Sequence, residues 1–482
     1  MRALVCIVLM ILVPAARAQI TLPNVRLPVL PQVPLTSTVA EDARTDLRML
    51  REVRRQAVRD LIRRNRSVIQ ADRNGAPIVR GEILVVSPEQ GVIDAATAAG
   101  FKVLRTRVLE GLDAQIVVLG VPAGMDTVRA LTQLRALAPS ASFDFNHIYT
   151  SSGVTRAAVA RVGVSQGSAA EGGVSQAGVS QGAGPSQTAG VSQTAGVSRT
   201  AGVSRTVGVS RTVGVSPAAG VRLASATASV ASVTAKVGLI DSGVDVEHPV
   251  FKDLSVHQHG CAAGPVPDAH GTAVASLMVG RSVDFHGSAP GAELYAVDVY
   301  CGMPTGGAAD AVADAFSWLA HERVPVINVS LVGPANVTLE TIIRLVVARG
   351  HLIVAAVGND GPAAPPLYPA SYPGVVGVTA VDAHRRVLFE AGRGPQVHFA
   401  ALGADIAAAK SVQTFELVRG TSFAAPLVAG LLAAQLPGPD PAGAQRAVEE
   451  LGREAVDLGA AGVDPVYGHG LVGADLAVGR KP

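Results

Sequence analysis

Asp241, His270, Asn359 and Ser422 are the residues of this chain whose types could together break an acyl bond. A serine hydroxyl is a weak nucleophile until an imidazole takes its proton, and the imidazole needs a carboxylate to fix its tautomer and stabilise its cation. An amide side chain can donate to the oxygen on which charge then develops. Asp241 closes the apolar run "KVGLID", His270 opens "HGTAVASLMVG", Asn359 lies at the end of "LIVAAVGND" and Ser422 stands in "RGTSFAAPLVAG". Each also has an ordinary structural role: an aspartate after a strand forms turns, a histidine packs as a satisfied polar group, and a serine ahead of small apolar residues caps a helix. The readings differ in what they ask of the fold, because chemistry requires all four side chains to meet.

From Lys236 onward the segments "KVGLID", "ELYAVDVY", "VPVINVSL", "HLIVAAVGN" and "VVGVTAVD" are nearly unbroken apolar runs, and helical stretches such as "AADAVADAFSWLAHE" and "TLETIIRLVVAR" separate several of them. Strands buried on both faces and joined by helices predict a parallel α/β sheet. Asp241 and Asn359 then fall at carboxyl ends of strands and His270 and Ser422 at helix starts, with Ser422 opening the last helix. Ligands of such sheets gather at that edge. Residues 78–150 read β-α-β-β-α-β, a small ferredoxin-like α+β unit. Between the two units, 151–235 is a Gly/Ser/Val-rich tract with the repeat "TAGVSQTAGVSRTAGVSR". It reads as a low-complexity linker, with a hexapeptide solenoid as the alternative. Ahead of the ferredoxin-like unit, 19–77 contains a basic amphipathic helix with Leu47, Leu50, Val53, Ala57 and Leu61 as its apolar stripe.

The chain has 482 residues, 48% of them apolar, and a formal charge of +2, which gives no reason to expect a nucleic-acid partner. Residues 1–18 have an early arginine, an apolar run and Ala16-Arg17-Ala18, the pattern of a secretory signal peptide, and no later run is long enough for a membrane span. A secreted or periplasmic protein is expected. Removal of the signal takes Cys6 and leaves Cys261 and Cys301, an even pair that favours a disulfide in an oxidising compartment. A metal site on His257, His259 and Cys261 is the competing reading, and it lacks a visible fourth ligand.

The motifs "DSGVDVEHP", "HGTAVASLMVG", "NVSLVGP", "AAVGNDG" and "GTSFAAPLVAG" resemble those of the subtilisin-like serine proteases, in the family order Asp, His, Asn, Ser, over about residues 236–478. The resemblance implies a parallel-sheet catalytic domain, a Ser-His-Asp triad of Ser422, His270 and Asp241, and Asn359 as oxyanion donor. It implies an extended peptide or protein substrate lying between Ser330, Leu331, Val332 and Gly333 on one side and the chain near 302–306 on the other. Leu367, in "PPLYPASYPG", stands where the family commonly carries a glycine at the floor of the primary specificity pocket, and implies a shallower pocket. "RSVDFHG" is shorter than the usual calcium loop, so no cofactor is expected, structural calcium being the alternative.

The same resemblance makes 78–150 a propeptide that assists folding and inhibits the enzyme, with "FDFNHIY" lying through the site as a product-like strand; a first self-cut near Tyr149 with later trimming of the tether is expected, and a cut within the tether before Lys236 is the alternative. The expected function is a secreted serine endopeptidase made as an autoprocessed precursor. The alternative is a catalytically idle surface-display or binding protein that uses the fold as a scaffold.

Overall fold

The computed structural model describes residues 52, 54–151, 154–155, 235–410 and 413–476. The signal-peptide pattern, the upstream part of the amphipathic stripe and nearly all of the repeat tract lie outside the described residues.

The larger unit is built on a seven-stranded, wholly parallel sheet, as expected. Its strands are β8 (Lys236–Asp241), β9 (Val256–His259), β10 (Glu293–Asp298), β11 (Val326–Val329), β13 (Leu352–Ala356), β14 (Val375–Val381) and β15 (Phe399–Leu402), in the spatial order 15-14-13-11-8-10-9. Alternation along a strand sends neighbouring side chains to opposite faces. Val237 and Leu239 of β8 join one core with Leu277 of helix α4 (Ala269–Val279) and Val428 of helix α7 (Thr421–Gln435). Ile240, one residue on, joins another with Phe316 of α5 (Ala309–His321) and Ile342 of α6 (Val337–Ala348). The sheet is therefore covered on both faces, which is why its strands read as continuous apolar runs.

Helix α7 runs through the first core, and Thr421–Gly430 are all buried. Alanine and glycine let neighbouring elements approach it from every side. Pro426 lies inside it and has no N–H to offer the carbonyl four residues back, that of Ser422. The Ser330 hydroxyl supplies the missing donor, 2.9 Å from Ser422 O. Ser422 does not open the last helix as the sequence suggested, because α8 (Pro441–Glu454) follows. Two further strands, β16 (Ala404–Lys410) and β17 (Thr414–Arg419), form an antiparallel hairpin whose second arm leads directly into α7.

The N-terminal unit has strands β1 (Ile69–Ala71), β2 (Pro77–Val86), β3 (Lys102–Leu109), β4 (Ala114–Gly120) and β5 (Phe143–His147), with helices α2 (Gln90–Ala98) and α3 (Thr127–Leu137). The order β5-β2-β4-β3, antiparallel throughout, is the predicted ferredoxin-like arrangement. Ile83 and Val85 face α2 and α3. Leu84, pointing the other way, joins Phe316 and Leu319 of α5 in a shared core. One sheet face is covered by the unit's own helices and the other by the larger unit. Residues 54–64 form helix α1. Its packed face carries Val58, Leu61 and Ile62, not the expected Ala57, which is exposed, because Leu61 and Ile62 seat against Ile69, Val79 and Ile148.

Candidate active site

Asp241 ends β8 at the carboxyl edge of the sheet and is 1% exposed. Its Oδ1 accepts from the Ser242 N–H at 2.7 Å, which orients the carboxylate. His270 is the second residue of α4, held there by the N-cap Asp268, whose side chain accepts from the His270 N–H at 2.9 Å. The imidazole Nδ1 lies 2.8 and 3.0 Å from the two Asp241 oxygens, and Nε2 lies 3.2 Å from Ser422 Oγ. With Nδ1 donating to the carboxylate, Nε2 is left as the acceptor facing the serine hydroxyl. The Phe423 ring, 5.4 Å away between centroids, tilts against the imidazole.

Burial works against a charged His270 most strongly, but the charge of Asp241, its hydrogen bond and the nearby Asp268 together outweigh it and raise the pKa above the ordinary 6.5. Such a setting favours the imidazolium that proton transfer from a serine would create.

Asn359 stands on the loop after β13. Its Oδ1 accepts from the Thr421 N–H at 3.1 Å, one residue before Ser422. That fixes the amide orientation and leaves Nδ2 as the free end, buried and without an acceptor among the described residues. A buried amide donor left unpaired costs about 1–3 kcal/mol, so its presence beside Ser422 calls for a functional explanation. Gly420, at φ 134°, is the hinge that turns β17 into the helix and places Ser422 at its start.

A subtilase-family model matches residues 233–470. Subtilisin BL of Lederbergia lenta is 32% identical over 251 residues, which cover 50% of this chain and 90% of that protein. The chain belongs to the subtilase family. Subtilisin E of Bacillus subtilis is 33% identical over 210 residues, and there the match spans only 54% of the relative and 41% of this chain. Fervidolysin from Fervidobacterium pennivorans shares the fold, with a TM-score of 0.57 at 20% identity over 84% of this chain and 62% of its own.

In this subtilase the expected Ser330–Gly333 edge is occupied by the chain's own N-terminal part. Strand β12 (Leu331–Val332) pairs antiparallel with β6 (Thr150–Ser151), Leu331 opposite Ser151 and Val332 opposite Thr150. The segment lying along the cleft is thus downstream of "FDFNHIY", most of which is committed to the ferredoxin-like sheet as β5. Tyr149 begins the cleft segment and does not end it. Its N–H donates to Gly307 O at 2.8 Å and Ile148 bridges to Ala308, so the second edge is at 307–308, slightly beyond the expected 302–306. The Tyr149 side chain is fully buried, with its hydroxyl donating to Pro334 O at 2.8 Å. Its ring rests on Gly333, where a Cβ would stand 2.5 Å from Tyr149 Cδ1.

Leu367 packs over Gly358, the residue before Asn359. A Cβ at Gly358 would meet Leu367 Cδ1 at 2.5 Å. Cys261 and Cys301 are joined as a disulfide, which removes Cys261 from any metal site with His257 and His259. Those histidines stack on Tyr295 and Trp318 instead. The bridge spans a sequence separation of 40 residues, for which chain entropy gives ~4 kcal/mol.

Asp310 was not legible as a site residue. It is buried at the start of α5, and its carboxylate receives Arg105, Arg107 and Asn146 from the N-terminal unit at 2.8–3.0 Å. Asp144 accepts from the Val337 N–H at the start of α6 at 2.7 Å, and Asn336 Nδ2 donates to Phe145 O at 2.8 Å. The only signal available was the alternation of Arg105 and Arg107 along "VLRTRVL", which puts both on one face of a strand.

Proposed function

We propose that this chain is a serine endopeptidase, made as a self-processed, exported precursor, in which Ser422 is the nucleophile, His270 the general acid/base and Asp241 its orienting carboxylate. The observation that carries the reading is the continuous relay from Asp241 through His270 to Ser422, with the unpaired Asn359 donor beside it. Ser422 Oγ attacks the peptide carbonyl as His270 Nε2 takes its proton. The oxyanion is held by Asn359 Nδ2 and the Ser422 N–H, both fixed before the charge appears. His270 returns the proton to the leaving amine, and water resolves the acyl-enzyme by the same steps.

Substrates of this reading are extended peptides that add a strand between Leu331–Val332 and 307–308, so main-chain pairing supplies affinity with little sequence reading. Ser330 supports this edge from beneath through its bond to Ser422 O. Leu367 narrows the adjacent pocket toward small residues. Residues 78–150 act as the intramolecular inhibitor, since they dock on α5 and α6 and their downstream end fills the cleft. Export rests on the signal-peptide pattern, and no described helix is long and apolar enough to cross a membrane. No metal enters the mechanism, which these side chains carry alone. Hydrolysis of an unfolded protein substrate by processed wild type and by Ser422→Ala tests the assignment: equal rates would remove it.

A further inference from the structure

Asn328 lies in β11, in the middle of the parallel sheet, between β8 and β13. Alternation along the strand sends Ile327 and Val329 to one core and turns Val326 and Asn328 toward the other, the one that α7 runs through. The Asn328 side chain is fully buried, and its Oδ1 has no hydrogen-bond partner among the described residues. An unpaired amide oxygen there destabilises the fold, and a valine would pack in its place without that penalty. The other end of the amide is engaged. Nδ2 donates to Ser330 Oγ at 2.9 Å, and Ser330, fully buried as well, donates to Ser422 O at 2.9 Å. A backbone carbonyl only accepts, so the single hydroxyl proton of Ser330 goes to Ser422 O, and Asn328 must offer N–H to the Ser330 lone pair. The carbonyl depends on that proton because Pro426, four residues on, has no N–H to give it. Upstream, β17 is held between β16 and β7 (Val154–Thr155) as far as Arg419, and the Thr421 N–H donates to Asn359 Oδ1 at 3.1 Å. The backbone of Thr421–Ser422 is thus pinned on both sides, and with it the direction in which Oγ leaves toward His270.

We propose that Asn328 is a positioning residue for the nucleophile, acting through the Ser330 hydroxyl, and that these two side chains stand in for the main-chain donor that Pro426 removes from α7; the proposal rests on the endopeptidase reading above. Asn328 touches neither the substrate edge nor the reacting atoms. Its amide keeps the Ser330 proton aimed at the Ser422 carbonyl, and that bond keeps the first turn of α7 where Ser422 Oγ meets His270 Nε2. A misplacement of about 1 Å at a reacting centre costs on the order of a hundredfold in rate. The edge strand Leu331–Val332 is held by its own backbone, so the loss falls on kcat and spares KM. The arrangement also implies a specific suppressor. With Pro426→Ala, a backbone N–H becomes available to Ser422 O in the ordinary helical pattern, and the two side-chain donors become dispensable.

The test is a double-mutant cycle on the full chain, with every variant processed by the same added protease and kcat and KM measured on an extended peptide against Ser422→Ala as the blank. Ser330→Ala and Asn328→Leu are each made alone and together with Pro426→Ala. Alone, each is expected to lower kcat at least about tenfold with KM within about twofold of wild type. In the Pro426→Ala background each loss shrinks to less than about threefold, because the side chains and the restored N–H serve the same carbonyl. Equal losses in the two backgrounds overturn the proposal. So does a rise in KM with kcat unchanged, which would make the pair a support of the substrate edge alone. A variant that folds only together with Pro426→Ala supports it, since the backbone donor has then replaced the side chain, and one that folds in neither background counts against it. Hydrolysis by wild type no faster than the Ser422→Ala blank removes the endopeptidase reading, and this proposal with it.

Discussion

Replacing Asp310 by alanine should loosen the hold of the N-terminal unit on the peptidase far more than any other single change on that interface. The Asp310 carboxylate is 2% exposed and receives Arg105 Nε and Nη2 at 3.0 and 2.8 Å, Arg107 Nε at 2.8 Å and Asn146 Nδ2 at 2.9 Å. Burial alone would push its pKa up, but the two guanidinium charges outweigh that and hold it below the ordinary carboxylate value. Truncating one side of a buried, hydrogen-bonded charge pair costs about 2–5 kcal/mol. The lower part of that range applies, because Arg105 keeps its two bonds to Glu82 at 2.7 Å, Arg107 keeps Asp314 at 3.1 Å, and both arginines are about a third exposed and can rehydrate. A loss of ~2–3 kcal/mol corresponds to roughly 30- to 150-fold in dissociation constant. Asp113→Asn is the internal control: the Asp113 carboxylate is 89% exposed, its pair with Arg349 is worth about 1 kcal/mol or less, and Arg349 keeps its bond to Leu112 O at 2.8 Å across the interface. The assay is co-elution of the cleaved N-terminal fragment with the peptidase across a dilution series at low and high salt. Equal dissociation of Asp310→Ala and Asp113→Asn would refute the reasoning that burial makes the Asp310 contacts dominant.

Three further outcomes are expected. Asn359→Ala should lower kcat by about 10²–10³ with little change in KM, a size taken from the same donor in a subtilisin and not worked from these distances; an unchanged kcat in steady-state kinetics would show that Nδ2 does not face the oxyanion. The acid limb of kcat/KM should have its midpoint above 6.5, because His270 must be neutral to accept the proton and its pKa is raised; Asp241→Asn should move that midpoint down, and a limb at or below 6.5 in wild type counts against the pairing. By the same linkage, the stability this pair gives the fold is present below the unfolded histidine value and is lost as pH rises through the folded one. Leu367→Gly should raise cleavage after Phe and Tyr relative to Ala by at least about tenfold in a peptide library, since overpacking costs ~1–3 kcal/mol; an unaltered preference would place the pocket elsewhere.

Much of the fold was legible because it is written locally. The apolar runs from Lys236 onward are buried on both faces, and such strands need no alternation, so they announce a parallel sheet. Asp241, His270 and Ser422 could be placed because each follows or opens an element whose end is marked by Gly or by small residues. Short elements were missed, among them β15, whose four residues carry little pattern. The contacts between the two units left almost no trace in the sequence. Asp310 and Arg107 lie 203 residues apart, and nothing near either one signals the other. That pairing along the cleft continues past Tyr149 was hidden for a related reason: a strand's position along a cleft is set by pairing to a distant edge, here Leu331–Val332, and the end of an aromatic-rich strand looks like a terminus when that edge is not visible.

The most direct test of the account is covalent labelling with a fluorophosphonate, followed by peptide mapping, of wild type, His270→Ala and Ser422→Ala, each processed by the same added protease. The account predicts a single stoichiometric adduct on the peptide containing Ser422 in wild type, loss of most of the labelling rate in His270→Ala and no adduct in Ser422→Ala. An adduct on another serine, or none in processed wild type, would contradict it.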